Sequence, residues 1–356
     1  MDLMAWSGAR GFSMRRGLGR RVVALAAMAF VVGACSPPSP ATPGQVGATA
    51  TPAQSAATTS KQLVIYYVSV AAPTGFFAYL NKGGMDAAAN LGVKFVYVYP
   101  DSPTIPAQVE KITQAIAAKA DGIIINGIGS DQTYYDVIKQ GNAAAISFGS
   151  ALGPQAKMGT QLRDPKDPFL FHVGSDEYAG GVLIGTKLLS LGVKGRVVVG
   201  NQAPADSATC QPRAAGVVDT VKTGGITSDV LELTLDPGQQ TEAIQNYLRA
   251  HPDTGAFVSA CTVLNPFLSA KQQSGRSDLL LAGWDLDDTV VAAIKSGASA
   301  FTIDQQPYWR GYMPVLLMTH YLRYGLLQAN PFLTGPAIID KTNIETVQNL
   351  ASQGYR

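Results

Sequence analysis

The chain has 356 residues, 46% of them hydrophobic, which is ample for a sizeable core in two domains or one large one. Charged residues make up 15%, the formal net charge is +2, and the basic residues form no long run beyond the N-terminus. That excludes the basic face a nucleic-acid binder needs to neutralise phosphates.

In chain order, Arg15, Arg16, Arg20 and Arg21 precede an apolar run from Val22 to Val32. The run is shorter than the ~20 residues a spanning helix needs. It ends in Val32-Gly33-Ala34-Cys35, an apolar residue and two small ones before a cysteine, and resembles a bacterial lipobox. The expectation is a lipoprotein signal peptide over residues 1–35 with Cys35 acylated; the alternatives are an ordinary signal peptide or a buried helix with an incidental cysteine. Residues before Met14 are surplus to such a leader. From Ser36 to Ser60 the composition collapses to small and polar residues without a charge or an aromatic ring. Such a segment cannot bury enough apolar surface to offset its ordering entropy, so residues 36–60 are expected to be a disordered tether.

From Lys61 short apolar runs alternate with helical spacing. Strands are predicted at Leu63–Val68, Val93–Tyr99, Gly122–Ile125 and Ala144–Phe148, with helices at Phe76–Leu91, Ile105–Lys119 and around Gln132–Gln140. The stretch Gly149 to Pro168 breaks the rhythm. It resumes with strands at Leu170–Val173, Arg196–Val199, Val230–Thr234, Ala256–Ser259 and Leu279–Ala282. Helices are predicted between them near Tyr178–Leu191, Gln211–Lys222, Gln239–Ala250, Leu264–Gln273 and Asp287–Ser296. Two β-α-β-α halves in succession imply an α/β chain of two doubly wound parallel-sheet lobes. Open sheets of this kind bind ligands outside the carboxyl ends of their strands, here in a cleft between lobes.

Five segments carry a likeness to known proteins. They are Ser69–Gly75 followed by Phe76-Phe77; Val173-Gly174-Ser175-Asp176 followed by Gly180-Gly181; Arg213 followed by Gly216; Gly283-Trp284-Asp285; and Thr302-Ile303-Asp304-Gln305-Gln306-Pro307. In this order and spacing the chain resembles the periplasmic sugar-binding family that includes ribose-binding protein, over nearly all of Gln62 to Ile344. The resemblance implies a type I periplasmic-binding-protein fold with a three-stranded hinge near Ser175, Gln305 and Ile338. The N-terminal lobe is then residues 61–175 plus 306–338, and the C-terminal lobe 176–305 plus 339–356.

The residues in these segments suit a sugar, which offers apolar C–H faces and a ring of hydroxyls. Phe76, Phe77 and Trp284 can cover the faces, and Arg213, Asp285 and Gln305 can make paired hydrogen bonds to adjacent hydroxyls. The candidate ligand-binding set is Thr74, Phe76, Phe77, Ser150, Arg213, Trp284, Asp285 and Gln305, with Phe77 expected nearer the ligand than Phe76. Trp284 reads equally as a buried wall, and Asp285 as an N-cap for the next helix. Where ribose-type proteins carry Asp-Arg after the fourth strand, this chain has Gly149-Ser150, and where they carry Asn-Asp it has Ala260-Cys261. That implies a roomier pocket, or one completed by the loop from Ala151 to Asp167. Cys210 and Cys261 follow neighbouring strands at one sheet edge, where they form either a disulfide or two buried thiols.

No CxxC or Cys/His cluster has metal-ligand spacing, and no G-x-G-x-x-G follows the first strand. Gly149-Ser150 lacks the flanking glycine of a nucleophile elbow. No enzyme, metal or cofactor is therefore expected. The expectation is an extracytoplasmic solute-binding lipoprotein of an ABC importer, held to the membrane by its lipid alone, monomeric, taking a sugar or polyol and docking on permease subunits. A ligand-sensing ectodomain and a binder of a non-sugar molecule are the alternatives.

Overall fold

Runs of β-branched and aromatic residues, most of them followed by a turn and a helix, build two largely parallel sheets in succession. The computed structural model describes residues 61–148, 168–201, 209–234, 236–261, 263–328 and 330–356, with side chains omitted at 146–148 and 171. The leader with Cys35, the tether, Ser150 and the loop from Ala151 to Asp167 lie outside the described residues.

The first sheet contains β1 (Val64–Val68), β2 (Lys94–Val98), β3 (Gly122–Asn126), β4 (Ala145–Phe148), β5 (Phe169–Gly174) and the two-residue β11 (Phe332–Leu333). Its order is β2-β1-β3-β4-β5-β11. The second contains β6 (Arg196–Asn201), β7 (Ser228–Glu232), β8 (Thr254–Ser259), β9 (Leu280–Trp284), β10 (Phe301–Asp304) and β12 (Ala337–Asp340), ordered β7-β6-β8-β9-β10-β12. Both repeat the doubly wound 2-1-3-4-5 order, whose ligand sites lie at the strands' carboxyl ends. Pairing is parallel throughout except for β12, which runs antiparallel to β10.

Helices α1 (Phe76–Leu91), α2 (Ile105–Ala117) and α3 (Tyr135–Gly141) belong to the first half. The expected helix around Gln132 begins as a 3-10 turn, Asp131–Tyr134, before α3. The second half holds α4 (Glu177–Ser190), α5 (Cys210–Thr223), α6 (Pro237–Ala250), α7 (Asn265–Ser274) and α8 (Asp288–Ser296). Start signals are legible: Asp176, Asp236 and Asp287 each accept a hydrogen bond from a first-turn amide at 2.7–2.8 Å. Strand β7 sits two residues earlier than the apolar pair Val230-Leu231 suggests, because its register on β6 runs from Ser228 to Glu232 and leaves Val230 exposed at the sheet edge.

The chain crosses between the sheets at three described places. β5 ends the first sheet and α4 packs on α5 of the second half, while β10 ends the second and α9 (Pro307–Tyr324) returns to pack on α1. Both packings are glycine-dependent close approaches. A Cβ on Gly311 would lie 1.9 Å from the Leu80 carbonyl oxygen, and one on Gly181 would lie 2.2 Å from that of Arg213. The third crossing joins β11 to β12. Ile338, expected at that crossing, lies inside β12 opposite Ile303, so the crossing is at residues 334–336 and β12 belongs to the second sheet from Ala337. The short linking segment precedes the strand because pairing with β10 starts as soon as Ala337 reaches Asp304.

After α10 (Ile344–Ser352), which packs beside α8, the Tyr355 ring rests 4.9 Å from the Tyr308 ring with the Lys82 ammonium 4.8 Å over its face. Arg356 pairs with buried Asp304 at the second crossing. Among the described residues, no helix is long and apolar enough to cross a membrane.

Candidate functional site

The carboxyl ends of β5, β8, β9 and β10 and the starts of α4, α5 and α9 bring one polar cluster together at the first two crossings. Its members are Ser175 and Glu177 after β5, Arg213 on the first turn of α5, Asp285 after β9, Gln305 after β10 and Arg310 on α9. All but Asp285, which is partly buried, are buried.

Glu177 is the electrostatic centre. Its carboxylate accepts from Arg213 Nε at 2.6 Å and from the Ser175 hydroxyl at 2.6 Å, with the Arg310 guanidinium 3.9 Å away. Arg213 spreads its planar fork over three acceptors on three elements, with Nη1 donating to the Ala260 carbonyl and Nη2 to Gln305 Oε1, both at 2.8 Å. Gln305 Oε1 also accepts from Arg310 Nη1, while Gln305 Nε2 donates to Asp285 Oδ1. The amide orientation follows from charge, since a flipped amide would press its NH2 against two guanidiniums and its oxygen against a carboxylate. Burial pushes the Asp285 carboxyl above its ordinary value, opposed by Arg213, the Gln305 hydrogen bond and Arg310. Burial also lowers Arg310, against the pull of Glu177.

The structure joins four of the sequence-predicted residues here: Arg213, Trp284, Asp285 and Gln305. The Trp284 ring is buried in the second-half core and lies 4.8 Å from the Arg213 guanidinium carbon, so the arginine rests on it. Asp285 is not the cap of α8, a role taken by Asp287; its backbone is left-handed, with φ 69°, its amide donates to the Ile303 carbonyl and its carbonyl accepts from Thr302 Oγ1. Phe76 and Phe77 meet edge to face at 5.4 Å, and it is Phe76, not Phe77, whose ring joins the cluster, 5.6 Å from the Arg310 guanidinium. Thr74 is exposed in the turn before α1, where its carbonyl accepts from the Phe77 amide. Cys210 and Cys261 are disulfide-bonded. Glu177 and Arg310 are absent from the sequence-derived set. Their signal is chemical: each is a charge on the first turn of a helix that follows a crossing, Glu177 next to the capping Asp176 and Arg310 on α9.

A model of the periplasmic binding protein domain matches residues 65–326. The chain belongs to the periplasmic binding protein family. This is a family of binding proteins, not of enzymes. The xylose/arabinose-binding protein of Sulfolobus acidocaldarius is 26% identical over 293 residues, covering 79% of this chain and 72% of that one. The ribose import binding protein of Escherichia coli is 26% identical over 236 residues, or 65% and 75% of the two chains. Among solved structures, a carbohydrate transporter from Acidothermus cellulolyticus in complex with myo-inositol is 25% identical with a TM-score of 0.70, covering 83% of this chain and 100% of that one. A solute-binding protein from Agrobacterium vitis bound to α-D-tagatopyranose shares the fold with a TM-score of 0.71, at 24% identity over 83% and 99% of the chains.

This periplasmic binding protein has a groove of about 640 Å³ between α7 and α8, lined by Leu268, Lys271, Ala292 and Ala298 among others. It shares no residue with the cluster and offers little of the polar chemistry found there.

His172, on β5, gives the fold a titration of its own. Burial, helped by the Arg310 charge, pushes its imidazole down to about 3, so it stays neutral in the folded protein. In the unfolded chain it takes a proton below about pH 6.5. Between those values the unfolded state binds more protons, so stability is lost as pH falls through this window. The expected result is a thermal midpoint that drops from about pH 7 to about pH 5, and a smaller drop in His172→Met. Asp285, with a raised carboxyl, works in the opposite sense and is common to both proteins, so equal slopes would refute the assignment.

Proposed function

We propose that this protein is the extracytoplasmic sugar-binding component of an ABC importer, tethered to the membrane through acylated Cys35. The ligand sits between the lobes against Thr74, Phe76, Phe77, Ser150, Arg213, Trp284, Asp285 and Gln305. The observation that carries this reading is the cluster at the crossings, where a buried guanidinium, an amide and a carboxyl from separate elements stand at the carboxyl ends of strands. Such fixed, planar groups suit adjacent hydroxyls of a polyhydroxylated ring, and Phe76 and Phe77 on the opposite lobe suit its C–H faces.

The named proteins of the family support this class, since those bind or import pentoses, and the solved neighbours hold myo-inositol and a ketohexose. Residues 61–175 plus 306–336 then act as one lobe and 176–305 plus 337–356 as the other, closing about the crossings. A ligand bridging both lobes favours the closed state through contacts available only there, and the closed form docks on permease subunits as a monomer.

A thermal-shift panel of D-xylose, L-arabinose, D-ribose, myo-inositol and D-tagatose tests the reading. A true ligand at 100 times its dissociation constant stabilises by about 2.7 kcal/mol. An unshifted midpoint across the panel would remove a sugar or polyol from the proposal.

A further inference from the structure

The disulfide lies against the cluster. Cys210 opens α5, and Arg213 stands three residues on, one turn along the same face. Cys261 follows Ala260, whose carbonyl accepts from Arg213 Nη1 at 2.8 Å, and the Cys261 sulfur is itself 3.9 Å from that nitrogen. The carbonyl belongs to the peptide plane between Ala260 and Cys261. One side of that plane is anchored by the Ala260 amide, which donates to the Gly200 carbonyl at 3.0 Å. The other side is anchored by the bond from Cys261 to Cys210, across a Cα separation of 5.7 Å. With both anchors the carbonyl cannot swing away from the guanidinium.

We propose that the Cys210–Cys261 disulfide is a positioning element for Arg213, so that its reduction loosens the guanidinium and weakens ligand capture while the fold persists. The binding half rests on the sugar-binding reading, and the guanidinium half stands apart from it. A dithiol supplies the chemistry: its thiolate attacks one sulfur, the second thiol closes the reagent into a cyclic disulfide, and two electrons and two protons convert the protein's S–S bond to two thiols. Cys210 and Cys261 become thiols, and the peptide plane loses its covalent tie to α5.

The test follows the Arg213 Nε–H resonance, the proton held on Glu177, assigned by its loss in Arg213→Lys. Its exchange with water is measured in the oxidised protein, in the dithiothreitol-reduced protein and in C210S/C261S. Loss of one hydrogen bond to a charged group corresponds to about a tenfold change, so exchange is expected to accelerate by about tenfold in both forms that lack the S–S bond. The dissociation constant for D-xylose is expected to rise by about the same factor in both. Unchanged exchange in a folded, reduced protein overturns the proposal. So does unfolding of both forms, which would make the bond a staple of the lobe and nothing finer. If oxidised protein fails to bind D-xylose, that bears on the ligand, and the exchange rate alone decides the role of the disulfide.

Discussion

Glu177→Ala is expected to lower the free energy of unfolding by about 3–5 kcal/mol, the cost of stripping one partner from a buried ion pair. The reason is an asymmetry between the two kinds of charge in the cluster. A carboxylate that loses its partner can take up a proton, but a guanidinium cannot shed one at any accessible pH. With Glu177 gone, Arg213 and Arg310 stay cationic, both bonded to the single Gln305 oxygen and both shielded from water. The Ser175 hydroxyl loses its 2.6 Å acceptor as well and is left with Gln305 at 3.3 Å. Glu177→Gln keeps an acceptor and the side-chain length, so about half of the loss is expected to return. Denaturant unfolding of the two variants beside the parent protein is the check. A loss under about 1 kcal/mol for the alanine variant would show that water or a shifted backbone takes over the neutralising role.

The double αβ rhythm, and with it two parallel sheets in succession, was readable because most strands are short apolar runs and most helices carry a capping side chain or a closing glycine. Phe76–Leu91 is matched at both ends, since Phe76 begins the periodic apolar face and left-handed Gly92 stops it. Register was less legible: β7 is an edge strand whose polar ends pair as firmly as its apolar centre, so the Val230-Leu231 pair misplaced it by two residues. For the site, the resemblance to the periplasmic sugar-binding family pointed to the turns that carry Arg213, Asp285 and Gln305. What spacing could not supply was partnership. Glu177 and Arg310 are far apart in the chain and meet only because α4 and α9 each cross to the other half, so no local pattern reveals that they balance one another. The same holds for the glycines of the second and third motifs. Gly181 and Gly216 read as family marks, and the structure gives their cause: a Cβ on either would strike the backbone of the opposing helix, and the close α4–α5 packing they permit is what sets Glu177 beside Arg213.

Arg213→Ala is expected to show the reverse balance of effects from Glu177→Ala. Its structural cost is moderated, because Glu177 keeps Arg310 at 3.9 Å and the Ser175 hydroxyl, and can itself be protonated. Its cost to binding is larger. One fork orients the Glu177 carboxylate, the Ala260 carbonyl and the Gln305 amide together, and Gln305 in turn holds Asp285. Removing it releases the side chains proposed to meet the ligand and deletes a buried, hydrogen-bonded cation, a change worth about 3 kcal/mol or about 100-fold in dissociation constant. Arg213→Lys is expected to recover little of this. An ammonium on a flexible stem can satisfy Glu177, but it cannot reach three acceptors in one plane or lie flat on the Trp284 ring. Calorimetry with the sugar that gives the largest thermal shift separates the outcomes. Equal affinity in parent and alanine variant would place the guanidinium outside the binding surface and leave it a purely structural tie. Full recovery by lysine would mean that charge alone, without the fork's geometry, holds the ligand.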